Sequence, residues 1–468
     1  MNAAPQTLHA DVLVIGFGKG GKIAAKTLGR LGRRVVMVEE SARMYGGTCP
    51  NVGCVPSKGL VHHSSKRRPG DDPQSFYEQS VGKVQEVREK MRLGNFHMLD
   101  DLETVTVLTG RAVFTGAHTV AVTAEDGTRV DVTGDTILLS TGSVPIVPDI
   151  PGLRASRYTV TSTEMIENPL LPKRIAIIGG GYLGLEFAAI YQRFGARVTV
   201  IEGSTRFLGR EDEDVADAVR SILSGEGVEI VTGAQVAEVR DSADEATVVY
   251  TRDGAEHTVS VDAVLPAIGR TPDTEGLGLE VAGVRTGKRG AIEVDEHLRT
   301  SQPHIFALGD VNGGPQFTYI SLDDSRIVLD QLIGSGKRTT TDRVAVPHTL
   351  FMTPPLATVG LTEQAARDAG HRIKVAREAV ADIATMPRAY AVEETRGLMK
   401  FVIDADTDLI LGAALLSVDA QEMINTVCLA MRHDITVSDL RDAIYTHPSS
   451  TEAFNEVPTV IVHEDPRG

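Results

Sequence analysis

The chain has 468 residues, a formal net charge of −16, three cysteines and no tryptophan. Its length is too great for a single hydrophobic core and predicts several domains. The acidic excess argues against nucleic acid and anionic membranes as partners, and no apolar run is long enough for a membrane span. So few cysteines in a chain of this size are typical of a reducing compartment, so we expect a cytoplasmic protein.

The first predicted element is a strand–turn–helix–strand unit over residues 11–39. Its turn contains three glycines in the spacing G-x-G-x-x-G, which are Gly16, Gly18 and Gly21. Glycines at this spacing let the backbone approach a pyrophosphate at the helix N-terminus, and Glu39, at the end of the second strand, can accept hydrogen bonds from an adenosine ribose. The unit predicts a dinucleotide site, with a simple β–α–β packing unit as the alternative.

The next feature is a pair of cysteines, Cys49 and Cys54, in the Gly/Pro-rich run GGTCPNVGCVPSK over residues 46–58. Five helical residues rise about 7.5 Å, whereas a disulfide joins Cα atoms roughly 4.4–6.8 Å apart, so the backbone here must depart from a regular helix. Such a pair can hold two electrons as a dithiol and release them on forming a disulfide. A zinc site would need two further ligands with metal-site spacing, which are missing, so we predict redox chemistry and no metal.

A second strand–turn–helix–strand unit spans residues 174–202 and repeats the first at a constant offset. Its glycines are Gly179, Gly181 and Gly184. The repeat predicts two dinucleotides, or one dinucleotide and a relic of a second site. The acid that ends this unit, Glu202, favours the free 2′-hydroxyl of NADH over the phosphate of NADPH, a preference that the nearby Arg206 weakens.

Three further segments, residues 137–142, 264–270 and 305–310, each read as a strand that runs into a glycine turn. Asp310 directly follows the third strand, where it could bind a ribityl or ribose hydroxyl or serve only as a turn aspartate. From about residue 346 the pattern changes to apolar strands followed by helices, which predicts an α+β domain. Cys428 falls in an apolar helical pattern, so we expect a core thiol. No role is assigned to His62, His63 or His97.

The two glycine turns, the cysteine run, the strand FALGD and a C-terminal THPSSTE segment follow one another in a characteristic order. In these motifs the chain resembles the pyridine nucleotide–disulfide oxidoreductases, the flavoprotein family of lipoamide dehydrogenase, glutathione reductase and mercuric reductase. The resemblance implies an α/β fold with two Rossmann-like dinucleotide-binding domains, the second inserted in the first, and an α+β dimerisation domain. We place an FAD-binding domain at 1–153 and 280–345, an NAD(P)H-binding domain at 154–279 and the dimerisation domain at 346–468.

The resemblance also implies two cofactors. FAD is expected in the first glycine turn, with Glu39 at its ribose and Asp310 at its ribityl chain. NADH or NADPH is expected in the second, with NADH favoured. Other residues expected to contact the cofactors are Gly47, Thr48, Thr141, Gly142 and Gly269.

The same resemblance implies the catalytic residues. Cys54 matches the thiol against the flavin, and Cys49 matches the thiol that meets the substrate. Lys58 matches the lysine beside the flavin N5, and Glu186 matches its partner.

His447 and Glu452 match the acid–base pair that the other subunit of a homodimer contributes to a shared active site. The chemistry agrees, because a dithiol reacts as the thiolate and a histidine held by a carboxylate can remove its proton. Taken without the cysteine pair, His447 would read as a surface histidine before a turn proline.

The choice of acceptor depends on finer features. No cysteine follows Cys428, so the C-terminal cysteine pair of mercuric reductases is missing. Four segments, residues 44–45, 95–97, 313–324 and 351–356, look like the bacterial reactive-chlorine resistance flavoprotein and its hypothiocyanous-acid-reducing relatives. The expected acceptor is a small oxidant, which could be hypothiocyanous acid, a reactive chlorine species or Cu(II). Two alternatives stay open, a dihydrolipoyl dehydrogenase and a non-enzymatic redox sensor.

Overall fold

The computed structural model describes residues 6–466, and its first sheet carries the first glycine turn. Four parallel strands lie in the order Val105–Thr109, Val35–Glu39, Gln6–Ile15, Arg129–Leu139. A fifth parallel strand, Ile305–Ala307, pairs with the carboxyl half of the fourth, and the antiparallel strands Arg111–Phe114 and Thr119–Thr123 continue from its amino half. The helices of this unit are Lys19–Arg30, Thr48–Asn51, Cys54–Ser64, Pro73–Asp100 and Thr318–Ile333.

The central strands of this sheet are apolar on both faces because helices and loops cover both sides. Residues Leu13 and Val14, which point to opposite faces, are both fully buried. Helices Lys19–Arg30 and Thr318–Ile333 pack against each other on one face. The strand Ile305–Ala307 and the helix Thr318–Ile333 come after the second nucleotide unit in the sequence. The first unit is therefore built from two separated pieces of chain.

The second nucleotide unit lies between those two pieces. Its four parallel strands have the order Glu229–Thr232, Arg197–Glu202, Arg174–Ile178, Ala263–Pro266, with helices Ser162–Glu167, Tyr182–Phe194 and Glu213–Gly225. An antiparallel meander of Ala234–Asp241, Ala246–Arg252 and Ala255–Val261 accompanies it. The chain leaves the first unit through Ser143–Pro145 and returns through Arg270–Pro272, and these two strands pair with each other. This arrangement confirms the predicted insertion of one nucleotide-binding unit into another, while the four predicted boundaries remain a prediction.

The C-terminal part is an antiparallel sheet with helices, as the α+β prediction requires. Its strand order is His348–Leu350, Leu356–Gly360, Ile410–Leu416, Leu398–Asp404, Ile373–Ala379, Ile461–Glu464. Its helices are Glu363–Asp368, Pro387–Ala391, Ala420–Arg432 and Val437–Asp442. The short 3₁₀ turns of the whole described chain are Ala42–Met44, Lys288–Gly290, Gly309–Asn312, Thr340–Asp342, Val380–Asp382, Thr451–Asn455 and Val457–Thr459. None of the helices in residues 6–466 has the length and hydrophobicity that a membrane crossing requires.

A buried lysine ties the C-terminal sheet to the second nucleotide unit. Lys400 is 1% exposed, and its Nζ lies 3.1 Å from Asp212, 2.9 Å from Asp214 and 2.5 Å from Glu363. Burial opposes the charge on Lys400, yet hydrogen bonds to Asp214 and Glu363 outweigh it and raise its pKa. The three carboxylates are close enough together to surround a cation, and the lysine ammonium is the cation they surround.

We expect Lys400→Met to lower the thermal midpoint of the holoenzyme by at least about 5 °C. The variant leaves three neighbouring carboxylates without their cation, and losing one partner of a buried ion cluster costs about 3–5 kcal/mol. The matched control is Lys374→Met, in the neighbouring strand, because Lys374 has a single half-buried partner, Asp408, at 3.5 Å. Differential scanning calorimetry of both variants decides the point, and equal midpoints would contradict the role of Lys400.

Candidate active site

The cysteine run breaks a helix in two, as its spacing predicts. The first helix, Thr48–Asn51, ends at Asn51, and the next begins at Cys54 and runs to Ser64. Between them lie Val52 and Gly53, and the φ of −130° and ψ of −118° at Gly53 are not helical. Cys49 therefore lies in the first short helix and Cys54 in the first turn of the second. The break brings the two thiols close enough for each to shift the pKa of the other.

The segment that leads to and contains the two cysteines, residues 46–54, is called the redox loop here. It packs directly against the first glycine turn. Gly47 has φ +78°, and a Cβ at this position would lie 2.7 Å from the Cα of Gly18. Glycine is needed here both for the positive φ and for the close backbone contact. The Asn51 amide fixes the loop from the other side, because its Nδ2 donates to the carbonyls of Tyr45 at 3.0 Å and Gly47 at 2.8 Å.

The two thiols are electrostatically unequal. Cys54 is exposed and its Sγ lies 3.5 Å from Thr318 Oγ1, whereas Cys49 is half-buried. Hydrogen bonds from Cys49 and Thr318 and the charge of Lys58 lower the pKa of Cys54. The same hydrogen bond, together with burial, raises the pKa of Cys49. Cys54 is therefore the more acidic of the two thiols.

We expect Thr318→Val to raise the pKa of Cys54 by about one unit, since it removes a hydrogen bond to a charged group. The thiolate is lost as the pH falls through this pKa, so the variant should lose it at a higher pH than the parent enzyme does. The measurement is the long-wavelength absorbance of a thiolate beside the flavin, followed during acid titration of the NADH-reduced holoenzyme. Thr318→Ser keeps the hydroxyl and should titrate like the parent; the same midpoint in all three proteins would contradict the contact.

An ion pair between a half-buried lysine and a buried glutamate joins the cysteine helix to helix Tyr182–Phe194. Lys58 Nζ donates to Glu186 Oε2 at 2.8 Å and lies 4.4 Å from the centre of the Phe351 ring. The other carboxylate oxygen of Glu186 accepts the backbone N–H of Phe351 at 3.0 Å. Burial raises the pKa of Glu186, and the charge and hydrogen bond of Lys58 act against that rise. Three segments that are distant in sequence thus hold the Lys58 ammonium in one place.

The two glycine turns share one carboxylate geometry. Glu39 accepts the N–H of Phe17 at 3.0 Å, and Glu202 accepts the N–H of Gly180 at 2.6 Å; in each case the donor directly follows the first glycine of the turn. Each carboxylate also accepts an N–H two residues further along its own strand end, from Ser41 at 3.3 Å and Ser204 at 2.7 Å. Burial raises the pKa of Glu39 to about 7, so this carboxylate gains from further donors such as ribose hydroxyls.

The turns themselves fit a dinucleotide. Gly18 and Gly181 are the N-cap residues of helices Lys19–Arg30 and Tyr182–Phe194 and have no side chain of their own to cap them. In the first helix, the hydroxyls of Ser321 and Ser140 accept the N–H groups of Gly20 at 3.0 Å and Gly21 at 3.2 Å. A Cβ on Gly16, which has φ +97°, would lie 2.3 Å from the carbonyl oxygen of Ser140. Both helix N-termini therefore lie beside a glycine turn that leaves room for a close backbone approach, which suits a pyrophosphate. The remaining glycines of the two fingerprints, Gly21, Gly179 and Gly184, lie in the same turns and helix starts.

Asp310 lies at the junction of the two nucleotide units. Its Oδ2 accepts the hydroxyl of Ser143 at 2.6 Å, and that hydroxyl accepts the Nε–H of Arg270 at 2.8 Å. The strands Ser143–Pro145 and Arg270–Pro272, which connect the two nucleotide units, are the crossing strands. The other predicted cofactor residues of this region lie just before them. Thr141 donates its hydroxyl to the carbonyl of Asp273 at 2.6 Å. Gly142 and Gly269 accept backbone N–H groups across the same crossing.

His447 and Glu452 form a pair, but not at the thiols of the same chain. His447 Nδ1 lies 2.8 Å from Glu452 Oε1, and Glu452 Oε2 accepts the N–H of Ser449 at 2.7 Å. The hydrogen bond from His447 lowers the pKa of Glu452. The His447 side chain is 72% exposed, and no hydrogen bond joins it to Cys49 or Cys54 within the part of the chain that the structure describes.

The remaining residues considered from the sequence lie apart from this site. Cys428 is half-buried at the edge of a C-terminal core cluster rather than fully inside it, and burial raises its pKa to about 11. His62 and His63 pack edge to face at the end of the cysteine helix, and His97 is exposed beside Asp101. A cluster of His9, Asp11 and Asp135 has metal-like spacing, but Arg34 already pairs with its Asp11.

Two residues of the site were not singled out from the sequence. Thr318 lies in the 313–324 segment, which differs from lipoamide dehydrogenases, and its contact with Cys54 spans 264 residues. Lys22 follows the third glycine of the first turn and is buried. A lysine on the inward face of a predicted helix was the available signal for Lys22, whereas nothing local points to Thr318.

Two nucleotide-binding turns and an unequal thiol pair mounted on the first define a dithiol oxidoreductase that binds two dinucleotides. The family model described as "Pyridine nucleotide-disulphide oxidoreductase" matches residues 10–325, and the model of the dimerisation domain of the same family matches residues 346–458. The chain belongs to the pyridine nucleotide–disulfide oxidoreductase family. This family uses FAD and NAD(P)H, which the two turns fit, and its dimerisation domain supports a homodimer.

Relatives match this chain over nearly its full length. A probable pyridine nucleotide-disulfide oxidoreductase, RclA, of Escherichia coli (strain K12) is 42% identical over 96% of this chain and 99% of its own. A dihydrolipoyl dehydrogenase of Mycobacterium tuberculosis (strain ATCC 25618 / H37Rv) is 35% identical over 96% of this chain and 97% of its own. A solved Cu(II) complex of the HOCl-induced flavoprotein disulfide reductase RclA from Escherichia coli superposes with a TM-score of 0.91 at 42% identity and covers 96% of this chain and 99% of that one.

Proposed function

We propose that this enzyme transfers electrons from NADH through FAD and the Cys49–Cys54 pair to a small oxidant. The candidate acceptors are hypothiocyanous acid, a reactive chlorine species and Cu(II). The observation that carries the proposal is the unequal thiol pair, in which Thr318 from the segment unlike lipoamide dehydrogenases contacts Cys54. The similarity to RclA, whose solved structures are described as HOCl-induced and as a Cu(II) complex, supports the same class of acceptor.

When bound, FAD supplies two-electron transfer between a nicotinamide and a disulfide. The protein's own part is to hold charge and protons at fixed atoms. Hydrogen bonds from Cys49 and Thr318 and the nearby charge of Lys58 lower the pKa of Cys54 and so favour its thiolate. Glu186 fixes the Lys58 ammonium, so its positive charge stays where it acts on Cys54. Cys49 is the less acidic thiol and is the sulfur that would meet the acceptor once its proton leaves.

The carboxylate of Glu202 supports the preference for NADH. Both of its oxygens accept backbone N–H groups, from Gly180 and Ser204, which holds the carboxylate at the end of its strand. A phosphate on the neighbouring ribose would place two negative charges together there, whereas a hydroxyl could donate. Within residues 6–466 the Arg206 side chain forms no ion pair with Glu202, whose partners are the two backbone N–H groups.

We propose that His447 and Glu452 of a second copy complete the site. The pair has the geometry of a base held in one orientation by a carboxylate. The imidazole is exposed, and it forms no hydrogen bond with Cys49 or Cys54 of the same chain within residues 6–466. Such an imidazole could take the proton of Cys49 across the dimer interface. The same pair supports the second candidate function, a dihydrolipoyl dehydrogenase, to which the 35%-identical relatives also point.

A panel of acceptors tests the proposed function. NADH oxidation is followed with hypothiocyanous acid, hypochlorous acid, Cu(II) and lipoamide side by side, and we expect faster turnover with at least one small oxidant than with lipoamide. The control is Cys54→Ser, which should keep FAD and its reduction by NADH but lose acceptor reduction, so it reveals direct chemical oxidation of NADH. Turnover confined to lipoamide would establish the second candidate, and loss of FAD from Cys54→Ser would contradict the role given to Cys54.

We expect His447→Gln to slow reoxidation of the dithiol by about 100-fold, the usual contribution of a general base, without slowing flavin reduction by NADH. Stopped-flow absorbance separates the two half-reactions. His433→Gln is the matched control, because His433 is an exposed histidine of the same sheet-and-helix unit with no side-chain partner within residues 6–466. Equal slowing of both half-reactions would argue against a proton-transfer role for His447.

A further inference from the structure

A buried lysine lies beneath the redox loop. Lys22 is 6% exposed, in the first turn of helix Lys19–Arg30. Its Nζ donates to the amide oxygen of Asn95 at 2.5 Å and to the carbonyl of Gly46 at 3.3 Å. Lysine is almost never buried without an acidic partner, yet within residues 6–466 no carboxylate pairs with this ammonium. No step of the proposed electron transfer involves Lys22.

The acceptors of Lys22 are themselves held in place. The Nδ2 of Asn95 donates to the carbonyl of Met91 at 2.7 Å, so the amide oxygen must face the ammonium. Gly46 has φ +97°, and a Cβ at this position would lie 2.8 Å from the Cγ of Asn95. Lysine, asparagine and glycine backbone therefore form one close-packed unit, and the glycine stands three residues before Cys49.

This arrangement is costly for stability. Two neutral oxygens only partly replace the water that a buried ammonium loses. Burial and the nearby Lys19 accordingly lower the pKa of Lys22 to about 8, while Cys49 favours its charged form. The interaction is mutual, because the charge of Lys22 also favours the Cys49 thiolate against the hydrogen bond and the charge of Cys54.

We propose that Lys22 is a positioning residue for Cys49: it fixes the Gly46 carbonyl, and with it the backbone that leads to Cys49, and its charge favours the thiolate that reacts with the acceptor. The inference rests on the proposed function in one respect, namely that Cys49 is the sulfur that meets the acceptor. Its chemical logic is that Cys49 is the member of the pair whose proton is harder to remove. The fixed Lys22 ammonium favours loss of the Cys49 proton without occupying the space in front of the sulfur.

Other groups also act on the thiol pair and must stay constant in any test. Cys49 faces Cys54 and Thr318, and Cys54 in turn interacts with charged or titratable side chains from several elements. These are Lys58 on the cysteine helix, Glu186 on helix Tyr182–Phe194, Arg270 on the returning crossing strand and Tyr319 on helix Thr318–Ile333. Lys22 differs from these groups in that its interaction is with Cys49.

The test is the pH profile of Cys49 alkylation in the holoenzyme reduced with one equivalent of NADH, using iodoacetamide and mass spectrometry of the labelled peptide. We expect Lys22→Met to move the profile to higher pH and to slow labelling near neutral pH by about tenfold, which corresponds to one pKa unit. The matched control is Lys26→Met, one turn further along the helix, because Lys26 is half-buried and has no polar side-chain partner in residues 6–466. The control should label like the parent.

A second variant keeps the inference testable if Lys22→Met loses FAD or fails to fold. Asn95→Asp retains the shape of the side chain but places a carboxylate against the ammonium, so it should also shift Cys49 labelling to higher pH. A profile that matches the parent in a folded Lys22→Met protein, or in Asn95→Asp when Lys22→Met does not fold, would overturn the inference. Labelling requires no acceptor, so a failure of the proposed oxidant in the acceptor panel would leave this result readable.

Discussion

The active site depends on one backbone contact, between Gly47 of the redox loop and Gly18 of the first nucleotide-binding turn. The turn must be glycine-rich to admit a pyrophosphate, and the loop must be glycine-rich to lie against that turn. This contact sets the position of the broken helix, and the break in turn brings Cys49 and Cys54 together. Electron transfer needs the sulfurs near the flavin, so a side chain at Gly47 would disturb cofactor binding and thiol placement together.

Around this contact, the protein controls charge more than shape. Glu39 and Glu202 repeat one geometry at two turns, each accepting the N–H that follows the first glycine. Near the thiols the charges are positive, from Lys58 held by Glu186 and from Lys22 held by neutral oxygens. Negative charge is thus placed where ribose hydroxyls can donate, and positive charge where a thiolate forms.

The C-terminal unit has two separate connections to this machinery. Within one chain, Lys400 gathers carboxylates of the second nucleotide unit and of its own unit into one buried cluster. Between chains, in the proposed dimer, the exposed His447 and its partner Glu452 would act on the thiols of the second copy. The first connection joins the C-terminal unit to the second nucleotide unit, and the second would make turnover depend on assembly.

The amino-acid sequence by itself determined the features that depend on local backbone constraints. Positive φ values and close approach require glycine, so the spacing of Gly16, Gly18 and Gly21 indicated the nucleotide turn, and the spacing of the cysteines required a break in the helix. Only the tertiary structure decided which side chains set the reactivity of the thiols. Thr318 meets Cys54 across 264 residues, Glu186 meets Lys58 across 128, and Asn95 meets Lys22 across 73. Such contacts depend on how distant elements pack, and neither hydrophobic periodicity nor turn chemistry records that packing.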